Sequence, residues 1–217
     1  MITPRQIICS ILSLLFLSSC SLIDSGAPQR IVRVKALADP RLREGNPRWA
    51  EEVGGLVEAA SDYFEREFGV RLVTRKVAAW PATDRITSTP SLMSRLKAEV
   101  PLRDAEGAYD LIVAFTGESV NIYFGGRARV DRIGNCREGL GNYVVSSVSA
   151  PFHYRGPHAE PELDVVALIH ELGHIFGAEH VRDSTSIMHE NFDYRSDFDK
   201  TSREIIFKNK HCPFGKG

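Results

Sequence analysis

The chain has 217 residues, 43% of them hydrophobic and 25% charged, which are the proportions of an ordinary globular domain and argue against a disordered chain or a coiled coil. Its 27 lysines and arginines stand against 28 acidic residues, so no net field marks a nucleic-acid binder and no nucleic-acid partner is expected. Of four cysteines, Cys9 and Cys20 fall in the first twenty residues, a stretch that reads as an address before it reads as fold.

Arg5 is the one charged side chain before the apolar run Ile7 to Leu17, which closes on Leu17-Ser18-Ser19-Cys20. Cys9, Ser10 and Ser13 interrupt the run, and it is shorter than the roughly 20 apolar residues that cross a bilayer. The layout over residues 1–19 is therefore that of a signal peptide, not a transmembrane helix. The four residues ending at Cys20 resemble the lipobox of bacterial lipoproteins, in which the cysteine is acylated and begins the mature chain. That resemblance implies a lipidated Cys20, a tether over residues 20–30, and a place in the bacterial cell envelope. Ser21, where an aspartate would direct otherwise, is compatible with the outer membrane, facing the periplasm or the surface. The alternative is an ordinary cleaved signal with a cysteine close by.

Residues 31–217 show no internal repeat and read as one domain. Ile31 to Leu37 alternates as a strand. Asn46 can cap a helix that has Pro47 at its first position; Trp49, Val53, Val57, Ala60, Phe64 and Phe68 then recur on one face until Gly69 ends it. Val70 to Ala78 reads as a strand, Ser91 to Val100 as a short helix, and Tyr109 to Phe115 as a buried strand. Ile122 to Val130, with Gly125 and Gly126, suits an edge strand carrying a bulge. Tyr143 to Val148 is the last strand, and Pro161 to Phe176 is an apolar helix. Strands separated by helical stretches predict an α/β fold with a twisted, mostly parallel sheet.

The last helix carries His170-Glu171-Leu172-Gly173-His174, and the chain continues to Gly177 and His180, giving HExxHxxGxxH. On a helix, residues four apart share a face, so His170 and His174 can converge on one cation with Glu171 beside them. Random ordering of this composition would produce the pattern on the order of a few times per 100,000 sequences. Gly177 can adopt positive φ, stop the helix and turn His180 back toward the metal. If the helix ran on, His180 would sit about 15 Å along the axis from His170. Three imidazoles and an open fourth position suit a catalytic Zn2+ site rather than a structural one. Glu171 is placed to act as general base toward a metal-activated water.

This motif, followed by Ser186-Ile187-Met188-His189 with Met188 eight residues beyond His180, resembles that of the metzincin clan of zinc endopeptidases, in which a methionine lies in a tight turn beneath the metal. Met188 takes that place. Tyr109 to Gly117, then Gly126-Arg127-Ala128 and Cys136, is similar to the adamalysin run of strand, edge strand and cysteine. The resemblance implies a mixed α/β fold with an antiparallel edge strand, a backing helix and an active-site helix. It divides the domain into an upper part, 31–177, and a small lower part, 178–217, with the Met-turn and a C-terminal helix. It implies a disulfide between Cys136 and Cys212, two free buried thiols being the alternative. It also implies a protein or peptide substrate laid along the edge strand by β-augmentation. Two positions depart from the clan's family patterns. Val181 follows the third histidine where adamalysins have aspartate and matrixins serine, and Glu190 stands where some members place a tyrosine, leaving Tyr194 as a substitute.

The expected protein is a monomeric, lipid-anchored zinc endopeptidase. The competing function is a non-catalytic lipoprotein that uses the same fold to bind zinc or an extended peptide. Pro151 to Pro161 is expected to wall the cleft beside the active-site helix.

Overall fold

The computed structural model describes residues 29–81, 88–117, 127–191 and 195–216. The signal segment with Cys20, Gly125 and Gly126 of the edge strand, and Tyr194 lie outside the described residues. The elements run β1 (Arg30–Ala38), α1 (Pro40–Arg43), α2 (Trp49–Phe68), β2 (Val70–Ala79), α3 (Thr89–Glu99), β3 (Arg103–Asp104), β4 (Gly107–Ala108), β5 (Leu111–Thr116), β6 (Ala128–Val130), β7 (Tyr143–Ser147), α4 (Leu163–Ile175) and α5 (Lys200–Asn209).

Five strands form one sheet in the order β2-β1-β5-β7-β6. The first four are mutually parallel, and β6 runs antiparallel to β7 at the edge. Every residue of β5 and β7 is buried, as expected for central strands covered on both faces, and Leu111 to Phe115 of β5 is accordingly an unbroken apolar run. On one face α2 and α4 close a core containing Val34, Ala36, Phe64, Leu111, Val113, Leu168 and Ile175. On the other, α3 packs Leu92 and Leu96 over Leu37, Trp80, Ile112 and Val145.

Two local features differ from the sequence reading. α2 begins at Trp49 with Arg48 as its cap residue, so Pro47 precedes the helix. Asn46 uses its side chain one turn earlier: Oδ1 accepts the Arg48 N–H at 3.0 Å and Nδ2 donates to Glu52 at 3.0 Å. The β3–β4 hairpin carried no sequence signal; it brings Asp104 to the buried Lys35 ammonium at 2.7 Å, supplying the countercharge that a lysine on a covered sheet face requires. The segment 151–161 packs on α2. Phe152 and Tyr154 lie against Gly55, the Tyr154 hydroxyl donates to Asp62, and the cavity they line is walled by Ala59, Tyr63 and Arg66 of α2 and by Val165 in the first turn of α4.

Candidate metal centre

α4 is buried along its whole length from Asp164 to Ile175, which explains its near-absence of polar residues other than those with a task. Its first turn is held by Asp164, whose carboxylate accepts the Ser149 N–H at 2.9 Å and pairs with Arg127 at 3.2 Å. It ends at Ile175 with Phe176 as its cap residue, and Gly177 follows at φ +98°. The turn is enclosed as well as left-handed, since a β carbon at 177 would stand 2.5 Å from both Asn209 Nδ2 and the Gly134 carbonyl oxygen. The chain therefore doubles back, and His180 faces the helix.

The result is a cluster of three imidazoles. Nε2 of His170 lies 3.1 Å from Nε2 of His174 and 3.2 Å from that of His180, and the His174 to His180 separation is 3.2 Å. Three nitrogens bound tetrahedrally to zinc at about 2.0–2.1 Å would be about 3.3–3.4 Å apart, so the donor set fits one ion. Tautomers agree. His170 Nδ1–H donates to the Ile187 carbonyl at 2.7 Å and His174 Nδ1–H to the Ala178 carbonyl at 2.6 Å. A carbonyl can only accept, so both Nε2 atoms present lone pairs, and two lone pairs aimed at one point call for a cation between them. Among the described residues this is the one group of three or more His, Cys, Asp or Glu side chains with convergent ligand atoms.

Burial holds the His170 imidazole down at about 3, with the neighbouring His174 adding to the effect. Burial likewise holds His174 at about 4, opposed by its bond to Ala178. Both rings are thus neutral at pH 7, the form that ligates metal. His180 is the exposed member of the three. Glu171 follows His170 on the helix; burial pushes its carboxyl up to about 8, against the positive charge of Arg129 and a hydrogen bond from the Val130 N–H.

Met188 is fully buried directly beneath α4. The Val181 N–H donates to the Met188 carbonyl at 3.0 Å, which ties the residue after His180 to the turn. Glu190 is exposed. Cys136 and Cys212 are joined in a disulfide with their α carbons 4.9 Å apart, and beside it Asn209 Nδ2 donates to the Phe176 carbonyl at 3.0 Å.

The family model described as metallo-peptidase family M12, a reprolysin group, matches residues 28–215. The chain belongs to metallo-peptidase family M12. Its fold has a solved counterpart in archaemetzincin from Methanopyrus kandleri, whose crystal structure superposes with a TM-score of 0.57 at 19% identity, covering 87% of this chain and 99% of that one. At that identity the likeness is one of fold. No curated protein matches the sequence. For this M12 chain the metzincin-like fold is as the resemblance implied, the cofactor is zinc, and the three-imidazole cluster is the group that can hold it.

Several contributors carried no sequence signal. The carbonyls of Ile187 and Ala178 orient the two helix histidines as backbone atoms, independent of side-chain identity. Arg129 and Val130 reach Glu171 only because β6 lies over α4. Asp199 was findable: it precedes Lys200-Thr201-Ser202, and its carboxylate caps α5 by accepting the Ser202 N–H at 3.0 Å.

Proposed function

We propose that this chain is a zinc endopeptidase in which His170, His174 and His180 hold the metal and Glu171 is the general base. The observation that carries the reading is the convergence of three Nε2 atoms within 3.1–3.2 Å of one another, two of them fixed as lone-pair donors by their carbonyl partners.

Substrate binding follows from the sheet edge. In an antiparallel ladder alternate residues face the partner strand. Arg127 accepts from the Ser147 N–H at 2.9 Å and the Asp131 N–H donates to Tyr143 at 3.0 Å, so the backbone groups of Ala128 and Val130 point away from β7. An extended peptide can add to that edge as a further strand, and the Val130 N–H on the same side faces the Glu171 carboxylate. Held by His170, His174 and His180, zinc would polarise the scissile carbonyl and bring the pKa of a water toward 7. Glu171 accepts the proton of the attacking water and passes it to the departing nitrogen as the peptide bond breaks. Arg129 and the Val130 N–H oppose the burial that holds the Glu171 carboxyl at about 8 in the metal-free chain, and the charge of a bound zinc ion would favour the ionised form that a base needs.

The deciding experiment is Glu171→Gln. Zinc content should remain stoichiometric while cleavage of a complex peptide mixture falls to background. Equal behaviour of the variant and the wild type would instead favour the non-catalytic zinc- or peptide-binding lipoprotein.

The run from Arg5 to Cys20 supports a lipid anchor on Cys20 and a place in the bacterial envelope, the protein acting there as a monomer on protein or peptide substrates. Cys20→Ser should move the protein from the membrane to the soluble fraction and remove the acyl mass from its N-terminal peptide.

A further inference from the structure

Ser186 stands where the two sides of the metal centre are tied together. It is 1% exposed, and its hydroxyl donates to Asp199 Oδ2 at 2.8 Å while accepting the Met188 N–H at 3.0 Å and the Asp199 N–H at 3.3 Å. The next residue is fastened to the same segment, the Ile187 N–H donating to the Asp197 carbonyl at 2.8 Å. From this short length of backbone two of the three imidazoles are hung. The Ile187 carbonyl accepts His170 Nδ1–H at 2.7 Å, and the Met188 carbonyl accepts the N–H of Val181, the neighbour of His180, at 3.0 Å.

We propose that Ser186, bridged to Asp199, is a positioning residue for the zinc ligands: it fixes the height of the 186–188 backbone under α4 and thereby sets the Nε2 atoms of both His170 and His180. The proposal rests on the three-imidazole metal site argued above. The physical reason is local. Without the hydroxyl, the buried Met188 N–H loses its acceptor and the Asp199 carboxylate loses a donor, so the turn is released from α5 at the point that carries both carbonyls. Groups that orient metal ligands from the second layer typically change metal affinity by about 10- to 100-fold when removed.

Zinc affinity, measured by competition with a chromophoric chelator on the folded protein, separates this role from a general structural one. Ser61 is the control. It too is buried, donating to the Leu72 carbonyl at 3.1 Å and accepting the Leu72 N–H at 2.9 Å, but it joins α2 to β2 away from the site. Ser186→Ala is expected to bind zinc about tenfold or more weakly, whereas Ser61→Ala should bind it as the wild type does. Unchanged affinity in Ser186→Ala overturns the proposal, as does an equal loss in Ser61→Ala. Should Ser186→Ala fail to fold, Asp199→Asn keeps an acceptor for the α5 cap and is expected to weaken zinc binding several-fold; no weakening there overturns the proposal. Failure of the wild type to bind zinc would instead refute the metal site itself.

Discussion

Gly173 and Met188 are in direct contact: a β carbon at 173 would stand 2.5 Å from Met188 Sδ and 2.9 Å from Phe198 Cε1. The helix can lie on the methionine only because position 173 has no side chain. Gly173→Ala sets two effects against each other. Alanine is the better helix former by about 1 kcal/mol, but overpacking a closed core costs about 1–3 kcal/mol. The clash is with two buried side chains that have little room to yield, so a net loss of stability is expected in denaturant unfolding. Combined with Met188→Ala, the loss should be smaller than the sum of the two single changes, because the second removes the atom the first collides with.

Gly177 is held differently, by conformation and enclosure together. At φ +98°, with Asn209 Nδ2 and the Gly134 carbonyl oxygen both 2.5 Å from a β carbon, Gly177→Ala must move the turn that carries His180. The strain is worth about 1–3 kcal/mol. Because the displaced element bears a ligand, zinc affinity should fall along with unfolding stability. Retention of full affinity would show that His180 finds the metal without this turn.

In the metal-free protein the two buried imidazoles and the buried Glu171 carboxyl should tie stability to pH with opposite signs. His170 and His174 take up protons near pH 3 and 4 when folded, against 6.5 in the open chain. Between those values the unfolded state binds more protons, so stability rises with pH up to about 6.5. Glu171 keeps its proton to about 8 when folded and to 4.5 when unfolded, so its contribution is lost as pH climbs from 4.5 through 8. Two imidazoles outweigh one carboxyl below 6.5, and the carboxyl alone acts above it. Melting temperature of the metal-free protein between pH 4 and 9 should therefore peak near 6.5. A monotonic curve would contradict the buried state of one partner or the other.

The disulfide spans 76 residues of sequence, from the loop after β6 to the segment after α5. Constraining so long a loop stabilises by about 2–5 kcal/mol. Adding reductant should lower the guanidinium midpoint of the wild type to that of the Cys136→Ser, Cys212→Ser double variant, which itself should not respond to reductant.

Much of this protein can be read along its sequence. The alternation of Ile31 to Leu37, the apolar run of β5 and the 3.6-residue stripe of α2 each announce their element, because burial on a sheet face or a helix face imposes its own period. The three-imidazole cluster is equally legible, since spacing on a helix and a glycine stop are local geometry. Local signals fail where partners are distant. Asn46 has a cap residue's chemistry yet serves the turn before the helix. Nothing near Asp104 hints that its role is to neutralise Lys35.

The sequence by itself determined the kind of metal site, the place of Glu171 beside it and the sheet that supports them, because helix periodicity, glycine at a turn and apolar patterning act over a few residues. Only the tertiary structure decided how the ligands are held. The carbonyls of Ile187 and Ala178, the Ser186–Asp199 bridge and the edge of β6 over Glu171 are brought together by chain folding, and a hydrogen bond between residues far apart leaves no trace in the spacing of either.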